Sequence, residues 1–279
     1  MYKIVRKYVF NPTETLLEIE APEIAKKAQP GQFIILRSDE NAERIPLTVG
    51  GYDREKGTVT IIFQIVGAGT FKLNQLEEGD CLHDFVGPLG KPTELTGEKV
   101  CVVGGGLGCA IAYPIAKAFH DLGKDVTAIA GFRTKDLVIL DEEFHENTTR
   151  YIPVSDDGTY GTKGLVTQPL EELLQKEKFD KVITIGPVIM MKFVTQVCKK
   201  YGVPECVCSM NPIMIDGTGM CGCCRLTVGG KTKFACVDGP DFDAYEVDFD
   251  EAMKRGSMYK AFERKAYDDA CNLFKKEGK

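Results

Sequence analysis

The sequence predicts an antiparallel β barrel joined to an α/β domain and closed by a cysteine-rich segment. Three observations carry this. Up to about residue 95 the chain is a series of short β-branched and aromatic runs broken by Pro, Gly and acidic turns. From Lys99 strand-like and helical spacings alternate. Six of the eleven cysteines then fall between Cys206 and Cys236.

Residues 1–96 read as the barrel. "YKIVRKYVF", "TLLEIEAP", "QFIILRS", "TVTIIFQIVG" and "DCLHDFVG" are strand-like, with no convincing helix among them. Gly and Pro concentrate in "GPLGKPTELTG" (87–97), the exit from it. Residues 97–204 form the α/β part. "KVCVVGGG", "DVTAIAGF" and "KVITIGP" are buried strands. "GCAIAYPIAKAFHDLG", "GLVTQPLEELLQKE" and "VIMMKFVTQVCKKYG" are helical or lead into helices. Residues 205–245 are Cys/Gly-rich and loop-like, and the charged tail, 246–279, reads as helical.

At 279 residues, 43% hydrophobic and 27% charged, the chain has the composition of a globular protein and room for two domains. Its net charge of −6 argues against nucleic acid as a partner, because phosphate binding needs a basic surface. The N-terminus lacks the apolar core of a signal peptide, and no apolar run approaches the roughly 18 residues of a membrane span. A cytoplasmic protein without a membrane partner is expected. In that reducing compartment clustered cysteines bind metal more often than they form disulfides.

A plant-type 2Fe–2S cluster is held by C-x4-C-x2-C and a later Cys. Here Asp216-x4-Cys221-x2-Cys224 is followed, after eleven residues that read as a hairpin, by Cys236. The frame is intact with Asp in its first place, and a carboxylate oxygen can ligate iron as a harder donor. Cys223 falls outside the frame. Two other readings stay open. One is structural zinc on Cys221, Cys224, Cys236 and Cys206 or Cys208, as in a non-catalytic interaction module, although Cys236 makes only half of a second zinc arm. The other is inert thiols.

"VVGGGLGCA" follows a strand and opens a helix, so Gly104, Gly105, Gly106 and Gly108 can bring main chain close to a pyrophosphate. No acid ends the next strand; Arg133 stands there, where it could meet a 2′-phosphate or simply face solvent. Gly186–Pro187 again follows a strand, at the edge where such sheets meet ligands.

Taken together, barrel, "GGGLG", "IGP" and cysteine frame resemble, over nearly the whole length, the ferredoxin–NADP reductase-like electron-transfer subunits. These include that of dihydroorotate dehydrogenase. Asp216 and the extension "VDGPDFDAYEVDFDE" are most similar to the small subunits of NADH-dependent reduced ferredoxin:NADP+ oxidoreductases. The resemblance implies FAD in the barrel, with "RIPLTVG" as the flavin motif: Pro46, Leu47 and Thr48 match, whereas Arg44 lies one position further out and Ile45 takes the motif's Arg place. It places Ile62, Phe63 and Gln64 near the flavin and Gly69–Thr70 near its pyrophosphate. It assigns NAD(H), in preference to NADP(H), to the glycine turn, with "DDGTYGTKG" (156–164, Asp157 and Gly158 among them) and Gly186–Pro187 completing the pocket. Ile185 stands where many members carry Cys, so no catalytic residue is named. The implied activity is a relay between NADH, FAD and the 2Fe–2S cluster. The implied partner is a larger flavoprotein with 4Fe–4S clusters that couples NADP+ and ferredoxin by electron bifurcation. Only three His and no nucleophile–base pair accord with redox chemistry.

Overall fold

The computed structural model of the chain describes residues 1–276. Seven strands make the barrel: β1 (Tyr2–Asn11), β2 (Glu14–Glu20), β3 (Phe33–Arg37), β4 (Ile45–Asp53), β5 (Thr58–Gln64), β6 (Cys81–Leu82) and β7 (Asp84–Leu89). They are antiparallel in the order β6-β1-β2-β5-β4-β3-β7. The run "DCLHDFVG", expected as one strand, is two. Leu82 pairs with Tyr2 and Asp84 with Arg37, so this run supplies both edges of the sheet and curls it nearly closed. Period-2 alternation fills the interior: Leu17, Ile19, Val59, Ile61 and Phe63 point inward, while Leu16 and Ile62 point out into the core of the second domain. Two short helices correct the helix-free reading: α1 (Pro22–Ala25), with Pro at its start, and α2 (Ala68–Asn74). At the start of α2, Thr70 Oγ1 accepts the N–H groups of Val66 and Gly67.

The second sheet runs through β8 (Lys99–Gly105), β9 (Asp125–Phe132), β10 (Arg150–Ser155), β11 (Thr162–Lys163), β12 (Lys181–Ile185), β13 (Glu205–Ser209) and, beyond a hairpin, β16 (Asp241–Asp243). Its helices are α3 (Cys109–Asp121), α4 (Asp141–Glu146), α5 (Thr167–Lys176) and α6 (Val188–Tyr201). The order is β11-β10-β9-β8-β12-β13-β16, parallel except for the last strand. Val100 and Val102 of β8 face α3, and Cys101 and Val103 face the side covered by α5 and α6. β10, β11 and β13 go beyond the three strands expected.

The segment from 205 is therefore not loop throughout. Cys206 and Cys208 are buried on β13, where free thiols act as small apolar side chains. Further on come the hairpin β14 (Arg225–Val228) and β15 (Lys231–Phe234), α7 (Ala235–Asp238) and β16 (Asp241–Asp243). The tail forms α8 (Phe249–Gly256) and α9 (Lys260–Lys276); the last three residues of the helical reading lie outside the described residues. α9 returns to the barrel, with Tyr267 edge-on to Phe71 of α2 at 5.8 Å. Among the described residues no helix is long and apolar enough to cross a membrane.

The exit segment is pinned rather than free. Lys181, 1% exposed, donates to Glu94 O (2.7 Å) and Thr96 Oγ1 (2.8 Å) and pairs with Glu205 (2.8 Å). The buried Thr93 donates through Oγ1 to the half-buried Asp241 at 2.6 Å. Substituting Lys181→Ala strands these acceptors and should lower unfolding free energy by about 2 kcal/mol, read by urea titration of the purified chain.

Candidate functional site

The chain runs from β8 to β9 and β10 on one side of the sheet, then returns to β12 and β13 on the other. The crevice between the carboxyl ends of β8 and β12 is thus a topological switch point, where ligands of open α/β sheets bind. Gly104–Gly108 and Gly186–Pro187 form its two walls. They touch so closely that a Cβ on Gly108 would collide with Ile185 O, and one on Gly186 would stand 3.0 Å from Gly105 O. Gly106 adopts φ +54°, which favours glycine. Along the same edge, Asp157 N donates to Arg133 O at 3.4 Å. The Asp157 carboxylate accepts the hydroxyl and N–H of Thr159 (2.7 and 2.9 Å), which hold its pKa below the ordinary value. Arg133 is exposed, and Gly158 turns the chain at φ +78°. Within the same stretch the Tyr160 hydroxyl donates to Asp141 at 2.6 Å and ties this loop to α4, a contact the sequence does not reveal.

The flavin-motif residues lie on the adjacent strands β4 and β5, with Leu47 packed against the barrel core. Pro46, Leu47 and Thr48 pair with Ile35, Ile34 and Phe33 and are half-buried. A Cβ on Gly50 would stand 3.8 Å from Ala110 O, so β4 abuts the first turn of α3. Ile62 faces the same interface and Gln64 is half-buried, but the ring of Phe63 fills the barrel, leaving only its main chain outside. Gly69 and Thr70 open α2, and the carboxylate of Glu43 lies directly over Gly69. Arg44 turns the other way. Its Nε donates to Ile215 O at 2.7 Å, and Nη2 makes a longer contact to Asp216 O at 3.5 Å.

In the cysteine segment, Cys224 ends the loop before β14 and Cys236 lies on α7, so the hairpin folds them together. Their sulfurs are 3.2 Å apart and buried, and burial pushes the Cys236 thiol up to about 12. Cys221 is exposed, and a main-chain hydrogen bond from Cys223 lowers its pKa. The Asp216 carboxylate accepts the N–H groups of Thr218 (2.8 Å) and Cys221 (2.7 Å), an arrangement that lowers its pKa. Asp216 and Cys221 thus adjoin, as do Cys224 and Cys236. Among the described residues, however, no three His, Cys, Asp or Glu side chains converge as a metal-holding group. The loop is glycine-led: Gly217, at φ +79°, leaves room for Ile35 and Leu89 of the barrel, whose methyls would stand 2.7 and 2.8 Å from a Cβ. Three thiols, a carboxylate and a close-wrapping backbone match the donor chemistry of an iron–sulfur site.

Comparisons with known proteins accord with this geometry. Residues 211–248 match the iron–sulfur cluster binding domain of dihydroorotate dehydrogenase B. The chain is 47% identical to the dihydroorotate dehydrogenase B (NAD(+)) electron transfer subunit homolog of Thermotoga maritima, over 90% of this chain and 88% of that one. It is 31% identical to the corresponding electron transfer subunit of Desulforamulus reducens, over 88% and 96%. A chain from the solved NADH-dependent reduced ferredoxin-NADP oxidoreductase, described for flavin-based electron bifurcation, superposes with a TM-score of 0.91 at 43% identity, over 96% and 97%. The cytochrome P450 reductase GcoB of Amycolatopsis shares the fold alone (TM-score 0.62, 18% identity, 72% and 65%). The chain therefore belongs to the ferredoxin–NADP reductase-like family of oxidoreductase electron-transfer subunits, alongside those of dihydroorotate dehydrogenase B and its homologues.

Proposed function

We propose that this chain serves NAD(H), rather than NADP(H), at the β8/β12 crevice, FAD along β4 and β5, and a 2Fe–2S cluster in the 211–248 segment. The observation that carries the reading is the adjacency of these three places: α3 opens against β4, and the cysteine loop seats Gly217 on the barrel. The first expectation follows from the glycine walls. Gly104, Gly105, Gly106 and Gly108 present main chain to a pyrophosphate, with Gly186–Pro187 opposite. Arg133, Asp157 and Gly158 border the ribose end. The printed names of the sequence relatives, which specify NAD(+), support NAD(H).

Pro46, Leu47 and Thr48 and the main chain of Ile62, Phe63 and Gln64 would hold the flavin ring edge, and Gly69 and Thr70 its pyrophosphate. Asp216, Cys221, Cys224 and Cys236 would hold the iron. When bound, the flavin supplies the exchange between two-electron and one-electron chemistry, and the cluster supplies one-electron storage. The chain's own residues supply burial and alignment, and no proton-transfer pair is needed. Glu43 must leave Gly69 for a pyrophosphate to approach α2, which its exposed position permits.

The partner is a larger flavoprotein subunit with 4Fe–4S clusters, in a bifurcating NADH-dependent ferredoxin:NADP+ oxidoreductase, where NADP+ and ferredoxin are handled. The likeness to a chain of such an enzyme supports this. The names of the sequence relatives favour a second reading, the electron-transfer subunit of dihydroorotate dehydrogenase B, and Asp216 at the first ligand position speaks against it.

Anaerobic co-purification with the partner, followed by flavin, iron, sulfide and zinc analysis, tests the proposal. FAD and about two irons in this chain are expected; stoichiometric zinc without flavin would overturn it. Cys236→Ser should abolish the cluster's visible absorption, whereas Cys223→Ser should keep it, as measured on the purified variants. Glu43→Gln should tighten FAD binding severalfold, equivalent to about 1 kcal/mol, because a like charge beside the pyrophosphate is removed; fluorescence titration of the flavin-stripped protein reads it.

A further inference from the structure

Arg44 is the residue whose observed contacts depart furthest from the flavin motif that surrounds it. It precedes β4 by one position, yet its guanidinium crosses to the cysteine loop and donates to Ile215 O. Glu43 diverges from it and lies over Gly69, where the motif would bring a phosphate. Among the described residues no other barrel side chain hydrogen-bonds residues 211–224. The loop is otherwise held by its own groups, Asp216 to Thr218 and Cys221, by Arg225 and Arg255, which donate to Gly222 O (3.1 Å) and Cys223 O (3.3 Å), and by the apolar seat of Gly217. Arg44 therefore brings to the loop the one hydrogen-bonded side-chain tie to the barrel, and with it a positive charge.

We propose that Arg44 is a positioning residue for the iron–sulfur loop: its guanidinium ties the entry of β4 to the main chain at Ile215–Asp216 and sets a fixed positive charge beside the cluster. This rests on the cluster reading above. A cluster gains negative charge on reduction, so a neighbouring cation favours the reduced form. The planar, multiply donating guanidinium also restrains the carbonyls that precede Gly217.

The test compares Arg44→Lys, which keeps the charge, with Arg44→Gln, which keeps an amide donor on a shorter side chain but not the charge. Both are examined in the holo complex by EPR-monitored redox titration of the cluster, with flavin content measured in parallel. Arg44→Gln should make the midpoint more negative, lowering the reduced-to-oxidised ratio at fixed potential about tenfold, about 59 mV for a one-electron couple. Its flavin content should be that of the wild type, and Arg44→Lys should stay near the wild-type midpoint. An unchanged midpoint in Arg44→Gln overturns the proposal. So does loss of flavin with an unchanged midpoint, which would return Arg44 to the phosphate. A wild-type complex that carries flavin but no cluster would instead overturn the cluster reading itself, and the assignment of Arg44 with it.

Discussion

The contact on which the arrangement depends is the seat of the cysteine loop on the barrel. Gly217 adopts a left-handed conformation that L side chains rarely enter, and even with the backbone permitted, a Cβ would meet Ile35 and Leu89. The same core joins Phe33 and Ile35 of the barrel, Val182 of the parallel sheet, and Met214, Cys224 and Cys236 of the C-terminal segment. Because packed interiors tolerate little displacement, this shared core fixes three chemically distinct regions relative to one another. A chain built to pass electrons needs that fixity more than it needs acid–base groups.

The other half of the geometry lies across the barrel's outer face. Leu16 and Ile62 leave the barrel interior for the core around α3, and β4 meets the first turn of that helix. The crevice at the switch point of the parallel sheet therefore opens towards the strands that carry the flavin motif. Glycines line it for steric reasons specific to each wall: Gly108 touches Ile185 O, and Gly105 lies under Met190.

Much of this was legible in the residues. Period-2 runs marked the barrel, period-3.6 runs after glycine turns marked α3 and α6, and the spacing from Asp216 to Cys236 marked the cysteine frame. What escaped was tertiary. Closure of the barrel splits "DCLHDFVG" into two edge strands because each half has a different partner, which no local pattern encodes. Cys206 and Cys208 read as possible ligands, but their alternation on β13 places them in the sheet's core. Phe63 belongs to a flavin segment by motif and to the barrel interior by side chain. Arg44 finds its acceptor 171 residues away, beyond the reach of any spacing argument.

The central claim is that the crevice, the barrel strands and the cysteine loop form one aligned path for electrons within this chain. Rapid-mix freeze-quench EPR of the anaerobic, cofactor-loaded chain against NADH measures this most directly. Flavin bleaching followed by a reduced-cluster signal, without any partner subunit present, is the expected result. Flavin that bleaches while a competent cluster stays oxidised, although dithionite reduces it, would contradict the alignment.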